Sequence, residues 1–209
     1  MLADAGYGNR ADFRQGWVDR RLHYVVGVES STAVWEKPTQ RVQPRRRAGR
    51  GRPRRSYYRG QPTALRDLAS ALPPEAWREV TWRQGTQGPQ RSRFAACRAQ
   101  PAHGHVRDKP ELEPIWVLIE WPTEAEAPTQ YWFSNLPEEV SLRRLVRWAK
   151  LRWRVEQNYQ QLKEELGLDH YEGRGWQGWH HHVTLVCLAY AFLVLERQRL
   201  KKNSSSDFA

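Results

Sequence analysis

No Gly or Pro interrupts the chain between Pro137 and Gly167. The segment is rich in Leu, Arg, Lys, Gln and Glu, all good helix formers, so a long helix is predicted there. Pro137 suits its first turn, and Glu138 and Glu139 suit its positive end. At about 100° per residue, Leu142, Leu145, Val146, Ala149 and Trp153 make an apolar stripe that can pack on a core. Arg152, Glu156, Tyr159 and Lys163 make a second stripe. An acid between two bases on such a face has two readings. It is an ordinary salt-bridged surface, or a carboxylate set beside a phosphate-bearing substrate.

The rest of the chain reads as mixed α/β. Leu2-Ala3-Asp4 ends a strand that runs into a turn containing Gly6 and Gly8. A helix capped by Asn9 follows, with Phe13 and Trp17 on its buried face. Residues 22–28 form a second strand, which completes a strand–helix–strand unit. Residues 61–77 make a short helix stopped by Pro73-Pro74, with Leu65, Leu68, Ala69 and Leu72 on one side. Strands are predicted at 80–83, 92–98 and 115–121. Tyr131-Trp-Phe-Ser is expected to pair with the last of these across an acidic loop. A final helix, from Val183 to about Leu200, is expected to bury Leu185, Leu188, Ala189, Phe192 and Leu195. The tail 201–209 is charged and Ser-rich and is read as disordered.

The net charge of +11 among 209 residues favours a polyanionic partner, nucleic acid or an anionic surface. Arg41, Arg45, Arg46, Arg47, Arg50, Arg52, Arg54, Arg55 and Arg59 carry much of it, with Pro44, Gly49, Gly51 and Pro53 breaking regular structure. Arg50-Gly51-Arg52-Pro53 is similar to an AT-hook, which lies in a narrow minor groove. A polybasic linker touching phosphates without sequence preference is the alternative. Most of the eleven Trp are assigned to the core. Cys97 and Cys187 read as buried free thiols of a reducing cytoplasm. The three residues His180, His181 and His182 point in different directions and do not form a zinc site; they are expected to cap the last helix or touch DNA. The uninterrupted apolar run Val183–Leu195 is shorter than the roughly 20 residues a bilayer requires. No signal peptide is predicted.

Arg152-x3-Glu156-x6-Lys163 resembles the signature that closes the core of insertion-sequence DDE transposases, Tyr-x2-Arg-x3-Glu-x6-Lys, with Ala149 where the Tyr would stand. The following Gly-Leu-Asp-His-Tyr-Glu-Gly-Arg and Trp-x2-Trp-His-His-His also look like one branch of that family. So do Thr81-Trp-Arg-x-Gly-Thr, Arg91-Ser-Arg-Phe-Ala and Tyr131-Trp-Phe-Ser-Asn-Leu-Pro. Leu-Ala-Asp-Ala-Gly-Tyr-Gly-Asn at the start resembles its second-Asp motif, although an Asp ahead of a helix is often only an N-cap.

The resemblance implies a partial RNase H-like core with a β-rich insertion before the catalytic-Glu helix. Residues 1–30 would belong to the core, 31–60 to an Arg-rich linker, 61–136 to the insertion and 137–200 to the helical end of the core. Asp4 and Glu156 would be catalytic and would bind Mg²⁺, two ions in a complete enzyme. Arg152, Lys163, Arg50, Arg52, Arg54 and Arg55 would contact double-stranded DNA at terminal inverted repeats. A bacterial cytoplasmic, nucleoid-associated location without membrane attachment follows, and exposed sheet edges would favour pairing with another copy. The family's first Asp stands upstream of its second, so this chain resembles a carboxy-terminal portion. It is expected to hold metal weakly and to bind DNA without cutting it. A non-catalytic basic DNA-binding module is the alternative, and an RNA- or anionic-membrane-docking protein is a third class.

Overall fold

The computed structural model describes residues 1–37, 39, 41–42, 57–58, 60–85, 88–102 and 113–206. Its elements in order are β1 (Leu2–Ala3), α1 (Ala5–Gly8), α2 (Ala11–Asp19), β2 (Val25–Val28), β3 (Ala33–Trp35), β4 (Arg41–Val42), β5 (Tyr57–Tyr58), β6 (Thr63–Ala64), α3 (Leu65–Ala71), β7 (Arg78–Gly85), β8 (Gly88–Pro101), β9 (Ile115–Trp121), β10 (Gln130–Ser134), α4 (Leu142–Ala149), α5 (Trp153–Glu164) and α6 (Trp176–Ser206). Two units divide the chain, Met1–Leu151 and Arg152–Ala209.

The first unit is organised by a mixed sheet in the order β1-β2-β10-β9-β8-β3-β6, with β7 on β8. Only β1 and β2 pair in parallel among these strands. The parallel pair needs a crossover, and α1 and α2 supply it. β9 and β10 pair antiparallel, Phe133 opposite Val117, as the sequence predicts.

Strand periodicity sorts side chains onto the two faces. Val26 and Val28, Val117 and Ile119, Tyr131 and Phe133 share a cluster with Leu65, Leu68 and Ala69 of α3. Phe13 and Trp17 of α2 pack against it. Val25, Phe94, Leu118 and Trp132 join Leu145, Val146 and Ala149 of α4 on the other face. The unit is therefore three layers deep. Burying each large apolar side chain contributes roughly 1.5–3 kcal/mol.

Several sequence expectations are corrected. Asn9 caps no helix. Its Oδ1 accepts from the Glu29 amide and the Thr32 hydroxyl, both at 3.0 Å, and ties the β2 exit to the start of α2. The predicted long helix begins at Leu142 rather than Pro137. Ser141 caps it, accepting from the Arg144 amide at 3.4 Å, while the Pro137 carbonyl accepts from Trp116 Nε1. That helix is also interrupted by a 3-10 turn at Lys150–Arg152. β3 lies inside the span read as an Arg-rich linker. Ala-Val-Trp favours a strand, and it pairs with β8 and β6.

In the second unit α6 begins at Trp176, seven residues before the predicted start. His180, His181 and His182 are therefore inside the helix and cap nothing. The helix continues to Ser206, through most of the tail read as disordered; Lys201 and Lys202 are compatible with helix. Leu185, Leu188, Phe192 and Leu195 are exposed rather than buried, and Ala189 is exposed too. Apolar spacing identified a face without saying what covers it. The helix Trp176–Leu200 is long enough to cross a membrane and holds an 18-residue window of mean hydropathy 1.3, so it is a candidate span by length and composition only. The sequence reading measured only its uninterrupted apolar run. Cys187 is also exposed, not buried. Cys97 is partly buried, and desolvation pushes its thiol up to about 11, so it is a poor nucleophile.

Candidate functional site

Asp4 follows the last residue of β1, at the carboxyl end of the parallel pair, and is exposed. It is the N-cap of α1, its Oδ1 accepting from the Tyr7 amide at 3.4 Å. The capping reading of the sequence is thus correct as geometry.

Glycine and a buried cation hold this turn in place. A Cβ on Gly8 would collide with the Gly27 carbonyl, and one on Gly27 would lie 3.2 Å from the Ala5 amide nitrogen. Gly8 and Gly27 are thus the contact through which α1 rests on β2. Arg14 of α2 is only 6% exposed. Its guanidinium donates to the Gly8 carbonyl and lies over the Phe133 ring, 5.3 Å from the centroid. Burial lowers the Arg14 pKa from its ordinary value, and the nearby Tyr24 hydroxyl partly offsets this. Sequence reading passed over Arg14 because an Arg on an amphipathic helix ordinarily faces water.

The second set of candidates lies on the other unit. Arg152 ends the 3-10 turn, and α5 carries Glu156 and Lys163. Arg152 Nη2 donates to Glu156 Oε1 at 3.0 Å. The Glu156 side chain is 71% exposed, so this pair contributes at most about 1 kcal/mol to stability. Lys163 Nζ lies over the Tyr159 ring at 5.3 Å. Val155, Glu156, Tyr159, Gln160 and Lys163 line a shallow concavity. The predicted stripe therefore exists as one exposed face with a carboxylate at its centre. Arg50, Arg52, Arg54 and Arg55 lie outside the described residues.

Asp4 belongs to the first unit and Glu156 to the second, and each is placed within its own unit. Both are exposed carboxylates, hard oxygen donors of the kind a Mg²⁺ ion takes. Among the described residues no three His, Cys, Asp or Glu side chains gather into a metal cluster.

The sequence reading also missed an ion pair below α4. Lys150 Nζ donates to Glu120 Oε2 at 2.6 Å, with only 18% and 5% of the two side chains exposed. The ammonium lies 4.6 Å from the Trp82 ring, 5.5 Å from Trp132 and 5.8 Å from Phe94. One signal was available: Glu120 is the acid inside the otherwise apolar strand Ile115–Trp121.

No curated protein matches the chain. Residues 1–89, which carry Asp4 and the Gly8–Gly27 contact, match the family model described as DDE superfamily endonuclease, and the match supports a DDE-type nuclease or transposase relationship for that part of the chain.

Proposed function

We propose that this chain is related by descent to the transposases of insertion sequences, whose reaction is DDE-type phosphodiester chemistry, and that it binds double-stranded DNA. The observation that carries the reading is Asp4, an exposed acid at the end of a β-strand within the 89 residues that match DDE superfamily endonucleases. Support comes from the Arg152–Glu156–Lys163 face, which presents one acid and two bases to solvent. The parallel β1–β2 pair, with helices between its strands, suits an RNase H-like core.

In this reading Asp4 and Glu156 are metal carboxylates. A divalent ion held by them would lower the pKa of an attacking water or 3′-hydroxyl and neutralise the leaving oxygen. Arg152 orients Glu156 through the hydrogen bond it donates at 3.0 Å. Lys163 sits seven residues on, two helical turns along the same face, and contacts a phosphate of the strand. Arg50, Arg52, Arg54 and Arg55 add phosphate or minor-groove contacts. The DNA ends concerned would be terminal inverted repeats, and the setting a bacterial cytoplasm.

The Arg152–Glu156 pair also fits a basic DNA-binding module without catalysis, because an i,i+4 pair is common on a solvated helix. Salt titration separates DNA contacts from bystanders. The logarithm of the association constant should fall linearly with the logarithm of salt concentration. Lys163→Ala should weaken binding and flatten that slope by about one unit. An unchanged slope would remove Lys163 from the interface. Equal affinity for single-stranded RNA and duplex DNA would count against both DNA readings.

A further inference from the structure

We infer that Trp176 and Trp179 form a stacking platform for an unpaired nucleobase of DNA. The inference rests on the DNA-binding part of the reading above and is independent of its metal chemistry. Trp176 is 72% exposed and Trp179 42%. Trp is among the side chains with most to gain from burial. Two of them left beside each other in water need a reason.

The local architecture places them there. Gly167 turns the chain with φ +67° after α5. The loop then folds back, and Tyr171 lies against the start of α6. Its hydroxyl donates to the Gly175 carbonyl at 2.9 Å, and its ring is 5.6 Å from that of His182. A Cβ on Gly173 or Gly178 would run into the Tyr171 ring. The glycines therefore seat Tyr171. This clasp takes up one side of the helix start, while Trp176, Trp179 and His180 stay exposed.

The exposed rings are also ordered. The two indoles lie 5.5 Å apart with planes 19° from parallel. His180 meets both edge-on, 4.3 Å from Trp176 at 83° and 4.9 Å from Trp179 at 79°. Helical spacing explains the set, since positions three and four apart are neighbours. A pair braced in this way loses little freedom when something lies on it. At that spacing no base fits between the indoles, so the ligand lies on the outer face of Trp176, the more exposed ring.

Charge selects the ligand. Arg174 and His181 are exposed near the pair in sequence, and the chain carries +11 overall. A nucleobase offers a flat π-face with a phosphate on either side, which matches an exposed indole two residues along from Arg174 in a chain of strongly positive charge. Bases inside a duplex have both faces covered, so only an unpaired base can use this surface.

The test compares three fluorescent DNA probes with the full chain. One is a blunt duplex, one the same duplex with a short single-stranded overhang, and one carries abasic sites in that overhang. The wild-type chain should bind the overhang probe more tightly than the other two. The double variant Trp176→Ala/Trp179→Ala should lose roughly tenfold or more on the overhang probe, and less than about twofold on the blunt duplex, which offers no unpaired base to stack. Trp176→Phe/Trp179→Phe should recover most of the loss, because a flat ring is retained. A 2-aminopurine in the overhang should be quenched by wild type and not by the Ala variant. Equal losses on all probes, no loss, or unaltered quenching would overturn the inference. So would altered self-association in sedimentation with DNA affinity unchanged, which would assign the indoles to a protein contact. A chain that binds none of the probes would sink the DNA reading along with the platform, a pattern distinct from binding that ignores the two Trp.

Discussion

Lys150→Met is expected to destabilise the first unit by about 3–5 kcal/mol, the usual cost of stripping the partner from a buried charge. Glu120 lies on the α4 side of β9, with only 5% of its side chain exposed. Its carboxylate accepts from Lys150 at 2.6 Å. Lys150 stands one residue past α4, and its ammonium is ringed by Trp82, Phe94 and Trp132. Those rings favour a cation over their faces. They give a lone carboxylate nothing comparable. Glu120→Leu should cost a similar amount, because it strands the ammonium. The double variant Glu120→Leu/Lys150→Met should fall within about 1–2 kcal/mol of wild type, since desolvation of both ions disappears with their attraction. Urea titration followed by circular dichroism measures all three. Single variants that cost under about 1 kcal/mol would show that water reaches the pair.

Gly8→Ala is expected to cost about 3 kcal/mol, the upper part of the range for overpacking. The added Cβ would occupy the position of the Gly27 carbonyl. Both partners are backbone, so no rotamer change relieves the clash. Gly6→Ala is the control in the same turn. Its Cβ would meet only the Asp4 carboxylate, at 3.3 Å, a side chain that can shift. Its cost should be below about 1 kcal/mol. Equal effects at Gly6 and Gly8 would mean that α1 does not rest on β2 as described.

The two variants mark what could and could not be read from the sequence. Strands such as Ile115–Trp121 and Tyr131–Ser134 were legible as short, nearly continuous apolar runs, which suit strands covered on both faces of the sheet. The Arg152–Glu156 pair was legible because helical spacing alone brings positions four apart together. Glu120 and Lys150 are 30 residues apart, and sheet register plus the exact end of α4 joins them. No local pattern encodes that. The start of the long helix was misplaced for a related reason. Pro137 and two acids make a plausible first turn, yet the Pro137 carbonyl is taken by Trp116 and Ser141 supplies the cap. Asn9 was misassigned likewise, its amide oxygen drawn to Glu29 and Thr32 rather than to a helix end. Asp4 was legible in part. Its place after a strand could be read from Leu2-Ala3, but Arg14 and the Gly8–Gly27 contact behind it are tertiary.

The claim at the centre of the functional reading is that Asp4 and Glu156 serve the same divalent ion. Ferrous ion can replace Mg²⁺ at oxygen ligands, and with ascorbate and peroxide it cuts polypeptide beside its binding site whether or not the protein turns over DNA. With the full chain, cuts are expected next to residue 4 and next to residue 156, both suppressed by excess Mg²⁺. Asp4→Asn should abolish the cut near Glu156, and Glu156→Gln the cut near Asp4. Cutting that stays at one position when the other carboxylate is removed, or that appears at neither, would contradict the account.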